Sequence, residues 1–322
     1  MKAIVIHEKG GPERLVLEDV PDQTPGDSDL LVDVAAAGLN YIDTYHRDGS
    51  YQMEFPITPG LEGAGTITAV GSSVDGFAVG DKVGWTYVLG SYASQHVIPA
   101  NQAIPIPEGI DESEVAAVLL QGLTAHYLAT DTFPIAKGVR CLIHAGAGGV
   151  GLLLTQIAKM RGAEVVTTVG SDEKAELSRG AGADHVIVYT RDNVRTSIED
   201  QFGENSIDVV YDGVGASTFM DGLGVLRVRG MMVSFGNASG PPPDISPLLL
   251  SQKGSLFLTR PSMGHYLQTR EELTTRADDL FDWIRAGDLN VRIGAEFSLA
   301  DAADAHRALE GRKTTGKVLL RP

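Results

Sequence analysis

Three glycines, Gly146, Gly148 and Gly151, stand in GxGxxG spacing inside the segment CLIHAGAGGVGLLLTQIAK (141–159). An apolar run (Cys141, Leu142, Ile143) precedes them, and a helix-forming stretch (152–159) follows. That strand–turn–helix context is what a cradle for dinucleotide phosphates requires. Gly146 permits the tight turn, Gly148 lets backbone approach a pyrophosphate, and Gly151 lets the helix pack closely on the strand. With Gly149 and Val150 between them, the glycines open a helix whose first N–H groups and partial positive charge face the phosphates.

A second strand is expected over 164–169, and it runs into Gly170 and Ser171. NAD-specific sites of this type place an acid there to hold the ribose 2′-hydroxyl. Ser171 reads instead as a helix N-cap, with Asp172 and Glu173 in the first turn, where the helix dipole favours them. Lys174 is in the same turn, where a cation is unfavourable by roughly 0.3–1 kcal/mol. A bound 2′-phosphate accounts for it, which points to NADPH. Tyr189, at the end of the next expected strand, offers a hydroxyl donor or a face for the adenine.

The elements that must position these groups fall into two patterns. Up to about residue 100 the chain reads as all-β, with short runs at 3–6, 30–37, 65–70, 82–85 and 93–98 between Gly, Pro and Asp turns. A helix is expected over 111–130, its first residues acidic. From Arg140 strands (141–144, 164–169, 185–188, 209–211, 231–235, 255–258) alternate with helices (152–160, 173–181). That alternation implies a doubly wound parallel sheet. The tail reads as a helix at 270–286, a short strand, a helix at 301–310 and a strand at 317–320, returning to complete the first domain.

The 322 residues suggest two domains, and the chain is 43% hydrophobic and 21% charged, as in soluble globular proteins. The net charge of −16 repels nucleic-acid phosphates, and no basic stripe offsets it. The single cysteine, Cys141, permits no internal disulfide and reads as a small core residue. MKAIVIHEKGG begins as a strand without a signal-peptide core, and no apolar run reaches the length of a membrane span. The expected place is the cytosol, with no nucleic-acid or membrane partner.

Several stretches together resemble the zinc-independent quinone oxidoreductases of the medium-chain dehydrogenase/reductase superfamily, the zeta-crystallin-like group. They are AAAGLNYIDTYHRDGSY (35–51), PGLEGAGTITAVGSSV (59–74), QGLTAHYL (121–128), HAGAGGVG (144–151), GADHVIVY (182–189), RGMMVSFGNASG (229–240) and QKGSLFLTRPS (252–262). The resemblance implies an α/β protein: a Rossmann domain with a doubly wound parallel sheet (124–264), and a β-rich chaperonin-10-like (GroES-like) catalytic domain (1–123 and 265–322). Zinc-dependent relatives carry a Cys ligand where this chain has Asn40 and a His ligand where it has Leu61. They also carry a Cys-rich lobe, where this chain runs from Gly80–Val83 straight into Gly84-Trp85-Thr86-Tyr87. Zinc needs three or four N, S or O ligands, and no HxxxH, HExxH or CxxC spacing supplies them. Without a metal to polarise an alcohol, the remaining chemistry is reduction of an acceptor that is already electrophilic.

The resemblance puts NADPH 2′-phosphate contacts on Ser171, Lys174 and Tyr189, beside Gly170. It puts Asn40, Tyr45, Tyr51 and Thr124 around the reacting centre, expected in the cleft between domains, with Phe235, Gly236 and Asn237 beneath the nicotinamide. Gly236 lets backbone approach the carboxamide, Asn40 can donate to a substrate oxygen or a ribose hydroxyl, and the two tyrosines offer flat faces to a planar quinone. Arg260 is read as lining the pocket mouth or as a surface residue. Glu62 is read as structural, Asp43 has no assigned role, and His46 is expected to be solvated. The reading is an NADPH:quinone oxidoreductase. The alternatives are an NADPH-dependent enone or 2-alkenal reductase and a non-catalytic nucleotide-binding protein. The uncharged SLFL run (255–258), last of the alternating series, is expected at a sheet edge where a homodimer forms.

Overall fold

The computed structural model describes residues 1–322 and divides them into two compact units, Met1–Leu123 with Leu267–Pro322, and Thr124–Tyr266. In the first unit the strands before the division are β1 (Lys2–Val5), β2 (Val16–Asp19), β3 (Asp29–Leu39), β4 (Glu62–Val70), β5 (Lys82–Thr86), β6 (Gln95–Pro99) and β7 (Ile104–Pro105). Helices α1 (Tyr41–Asp48) and α2 (Glu112–Tyr127) belong to the same stretch of chain, α2 running across the division. In the second unit follow β8 (Arg140–Ile143), α3 (Gly149–Met160), β9 (Glu164–Val169), α4 (Asp172–Gly180), β10 (His185–Val188) and α5 (Val194–Phe202). They continue with β11 (Ile207–Asp212), α6 (Phe219–Val225), β12 (Leu226–Ser234), α7 (Pro247–Gln252) and β13 (Phe257–Thr259). The chain then returns to the first unit through α8 (Arg270–Ala286), β14 (Ile293–Ser298), α9 (Ala302–Glu310) and β15 (Lys317–Arg321).

The first unit is built on a seven-stranded, mostly antiparallel sheet in the order β14-β15-β3-β4-β5-β7, with β6 paired to β3, and a separate β1-β2 pair. The late strand β15 pairs with β3 through Val318 and Leu39, so the tail completes the sheet that the first residues begin. Its core holds Ile4, Leu30, Ile67, Trp85, Tyr92 and Leu320. The second unit is a six-stranded sheet, β10-β9-β8-β11-β12-β13, parallel throughout. Parallel strands buried on both faces read as apolar runs, and Cys141, Leu142 and Ile143 of β8 are fully buried. A β-rich unit together with a unit built on a doubly wound sheet is the α/β class expected from the sequence. No helix is long and apolar enough to cross a membrane.

Two expectations need correction. The region up to residue 100 is not all β, because α1 lies within it. Asp43 starts this helix by accepting the Asn40 backbone N–H at 2.8 Å, and Gly49 stops it at φ +83°. The sequence hides α1 because its buried residues are Asp43, Thr44, Tyr45, His46 and Arg47, so no apolar stripe marks it. The last parallel strand begins at Phe257, not 255. Ser255 is in the left-handed region at φ +55°, and Leu256 turns into the core. It is an edge strand, with Phe257 and Leu258 exposed.

Candidate functional site

The glycine-rich turn joins β8 to α3 as the spacing requires, with the glycine roles redistributed. The left-handed residue of the turn is Ala145 (φ +55°), not Gly146. A side chain on Gly146 would put its Cβ 2.6 Å from Thr167 Cβ, so this glycine serves packing onto β9. A Cβ on Gly151 would be 2.3 Å from the Ala145 carbonyl oxygen, which is the close helix–turn contact expected of it. A Cβ on Gly148 would meet little beyond the Ala145 carbonyl oxygen at 3.2 Å, so space is open there. Gly148 is also the N-cap of α3 and brings no side-chain cap. By contrast Ser171, Asn193, Ser246 and Thr269 each cap their own helix with a side-chain oxygen. An uncapped helix start behind an open glycine fits a dinucleotide pyrophosphate.

At the end of β9, the Ser171 hydroxyl accepts the Lys174 backbone N–H at 3.3 Å, so Ser171 is the N-cap read from sequence. Gly170 lies against Tyr189: a Cβ there would stand 2.7 Å from the tyrosine hydroxyl. Thr190 Oγ1 donates to the Gly170 carbonyl at 3.2 Å. Ser171, Lys174, Gly170 and Tyr189 are therefore neighbours around one strand end. A second cation, Arg191, reaches the same place and pairs with Asp172 at 3.3 Å. Sequence reading missed it, although it follows Tyr189 by two residues.

Phe235, Gly236 and Asn237 follow β12. The close backbone approach at Gly236 is internal, since a Cβ would fall 2.4 Å from the Gly213 carbonyl oxygen. The exposed Arg260 holds this loop, its Nη1 donating to the carbonyls of Ser234 (2.9 Å) and Gly236 (3.2 Å). The Asn237 carbonyl accepts from Gly240 at 2.9 Å. Thr124 belongs to this second unit, buried, with its hydroxyl 3.8 Å from Met263 Sδ.

Asn40, Tyr45 and Tyr51 are all in the first unit. The Tyr45 and Tyr51 rings lie 5.2 Å apart, tilted 50°, with Tyr45 buried and Tyr51 exposed. His46 is buried rather than solvated, 6.1 Å from the Tyr51 ring, and burial pushes it below its ordinary pKa. Asn40 is committed inward. Its Nδ2 donates to Glu62 Oε2 (2.7 Å) and to the Gly38 carbonyl (3.2 Å), while Oδ1 accepts from Lys317 Nζ (2.9 Å) and Gln121 Nε2 (3.2 Å). Two amide protons and two lone pairs are all an Asn side chain has, so the expected donation to a substrate oxygen would require breaking one of these bonds.

Glu62, read as structural, has Lys317 as its partner. The two are fully buried and ion-paired, and Glu62 Oε1 accepts the Leu120 N–H at 2.7 Å. Burial pushes the Lys317 ammonium below its ordinary pKa, while the Glu62 charge works against that. Gly38 makes room, since a Cβ there would press on both Glu62 and Lys317. Beside this cluster a second chain of polar groups runs from Asp43 Oδ2 to the Tyr92 hydroxyl (2.8 Å), then to His306 Nε2 (3.4 Å). It continues from His306 Nδ1 to Arg47 (2.8 Å), which also grips Glu310 with two hydrogen bonds. Burial raises Asp43 to about 7, opposed by the Asn40 N–H, and burial with the Arg47 charge lowers His306 to about 3. Lys317, Tyr92 and His306 escaped sequence reading because their partners are remote in the chain.

The donor set does not fit zinc. No three His, Cys, Asp or Glu side chains cluster as metal ligands, the Leu61 position offers none, and an ammonium already occupies Glu62 and Asn40.

Residues 149–282 match the zinc-binding dehydrogenase family, and residues 26–108 match the alcohol dehydrogenase GroES-like domain. The chain is 44% identical to a quinone oxidoreductase of Pseudomonas aeruginosa, across 100% of this chain and 99% of that one. It is 38% identical to the 2-haloacrylate reductase of a Burkholderia species, across 99% of this chain and 98% of that one. Among solved structures it is similar to the Escherichia coli quinone oxidoreductase complexed with NADPH, with a TM-score of 0.98, 40% identity and full coverage of both chains.

Proposed function

The chain belongs to the medium-chain dehydrogenase/reductase family, among its quinone oxidoreductases, and on that premise we propose that it reduces quinones with NADPH and without a metal. The observation that carries this reading is the uncapped start of α3 at Gly148 beside a first-turn lysine on the neighbouring helix α4. The N–H groups of Gly149, Val150 and Gly151 bind the pyrophosphate. Lys174, with Ser171, Gly170 and Tyr189 around it, binds the 2′-phosphate and so selects NADPH over NADH. Phe235, Gly236 and Asn237 flank the nicotinamide, with Thr124 as a further contact of the same unit. Bound NADPH supplies the hydride. The protein supplies orientation and a shielded surface. Tyr45 and Tyr51 offer aromatic faces and hydroxyls to a planar acceptor, and Asn40, clamped by Lys317 and Glu62, fixes the start of the helix that carries Tyr45.

NADPH oxidation followed with a panel of p-quinones, 2-alkenals and 2-haloacrylates tests the reading. We expect turnover with quinones, and faster turnover with enals or haloacrylates would replace it with the double-bond reductase. Elemental analysis should find no stoichiometric zinc, and chelators should leave turnover intact. The exposed edge of β13, with Phe257 and Leu258 outward, is the face of a homodimer. Light scattering at micromolar concentration checks this, and a monomer mass refutes it. The single buried Cys141 and the need for reduced nucleotide fit a cytosolic setting.

A further inference from the structure

Four polar residues form one row across the carboxyl end of the parallel sheet. Asp212 and Ser234 are register partners on β11 and β12. His144 follows Ile143, whose partners are Tyr211 on β11 and Thr167 on β9, so His144 stands level with Asp212 and Thr168. At equal register in parallel strands these side chains share one face. All four are buried, at 0–3% exposure. Three of their atoms find no hydrogen-bond partner in the protein: His144 Nε2, Asp212 Oδ2 and Ser234 Oγ. Buried polar atoms left this way in a native core call for a partner.

Each residue of the row ends a strand or stands one position from its end, before one of the turns assigned above to the dinucleotide. Thr168 precedes Gly170 and Ser171, His144 precedes the glycine turn, Asp212 precedes Gly213, and Ser234 precedes Phe235 and Gly236. The backbone ties these turns together: Gly146 N–H donates to the Thr168 carbonyl at 3.0 Å, and Phe235 N–H to the Asp212 carbonyl at 2.8 Å. Asp212 Oδ1 holds its own turn, accepting from Val214 (2.8 Å), Gly215 (3.0 Å) and Thr218 (2.9 Å). Thr168 Oγ1 lies 2.9 Å from His144 Nδ1. The Asp212 charge acts on the ring and favours the tautomer with the proton on Nε2, in which Thr168 donates to Nδ1. Asp221 of α6 is the other charged group that acts on the ring, and burial keeps the imidazole neutral.

We infer that His144 is a positioning residue for the dinucleotide site: its Nε2–H serves Asp212 Oδ2 through one buried water, and this pair sets the turns that follow β8 and β11. The inference rests on the proposed NADPH reading. His144→Leu should weaken NADPH binding about ten-fold by fluorescence titration in a protein whose circular dichroism shows it folded. His144→Gln, which can place a donor near the Nε2 position, should restore most of the affinity. Nitrogen-15 NMR of the cofactor-free wild type should show His144 protonated at Nε2. An unchanged affinity in His144→Leu, equal losses in Leu and Gln variants, or a proton on Nδ1 overturns the assignment. If His144→Leu fails to fold, His144→Gln and the tautomer still decide it. A wild type that binds no NADPH overturns the functional reading and with it the dinucleotide role, whereas the tautomer judges the His144–Asp212 pair on its own.

Discussion

Two clusters of buried polar groups, one in each unit, are completed to different degrees. In the first, Asn40, Glu62 and Lys317 satisfy one another, the Gln121 amide fills the last site on Asn40, and in this cluster only Gln121 Oε1 lacks a partner. In the second, the carboxyl edge of the sheet keeps an uncapped helix at Gly148 and a row of side chains with unused atoms. Burying polar groups without partners costs about 1–3 kcal/mol each, so the closed cluster is the arrangement that stability favours. At Gly148 the uncapped helix start is where a ligand can bring the missing partners. Residue type alone does not separate the two clusters, because Asn40, Lys317 and Glu62 are all bound to one another. Spare hydrogen-bonding capacity at the end of a parallel sheet is the better sign.

The contrast can be broken most severely at the glycines. Gly148→Val should abolish measurable NADPH binding in a protein that still folds, because its side chain enters open space where the pyrophosphate is placed. Gly151→Val should fail to fold, because its Cβ collides with the Ala145 carbonyl at 2.3 Å. Titration with NADPH and circular dichroism separate the two, and a Gly148→Val protein with native affinity would refute the placement. Next in size is Lys317→Met. Leaving Glu62 buried without its cation should cost about 3–5 kcal/mol in urea denaturation. The double variant Lys317→Met/Glu62→Gln should recover most of that loss, and a double variant as unstable as the single one would show that packing, not charge, is at stake.

A smaller effect is expected at Lys174. Its replacement by Ala should raise the KM for NADPH about ten-fold and leave that for NADH nearly unchanged, as loss of one charge-assisted contact implies. Equal effects on both cofactors would remove Lys174 from the 2′-phosphate. A further prediction concerns Asp43. Folded, it keeps its proton up to about pH 7. Unfolded, it loses that proton near pH 3.9. Between those values the folded state binds more protons, so its stabilising effect is complete below about pH 4 and is lost as pH rises through about 7. Asp43→Asn cannot titrate, and the unfolding free energy of the wild type relative to this variant should fall from pH 4 to pH 7.5. A flat difference would mean that Asp43 is ionised throughout.

Local pattern made the second unit largely legible. Apolar runs of strand length, turn residues between them and the GxGxxG spacing each act over a few neighbouring residues, and β9 and β10 fall at the expected bounds. The Ser171 cap was equally local. Helix α1 was not legible, because its buried face is polar and periodicity looks for apolar residues. The partners of Asn40 were hidden for a related reason. Its neighbours in sequence fit a pocket, whereas its partners Glu62 and Lys317 come from β4 and β15, far along the chain. The turn geometry at Ala145 and the packing role of Gly146 depend on Thr167 of the next strand, which no spacing rule contains.

The Glu62–Lys317 pair also has a consequence for synthesis. Its members are 255 residues apart, and the whole second unit is encoded between them. At about 5–20 residues per second, the ribosome needs roughly 10–50 s after making Glu62 to deliver its counter-ion. Over that interval the nascent first unit lacks β15 and carries an uncompensated carboxylate where its core will be, while the second unit, contiguous in sequence, can already close. Vectorial translation therefore orders the two halves: the nucleotide-binding half matures first, and the half that encloses Asn40 waits for the strand that brings Lys317.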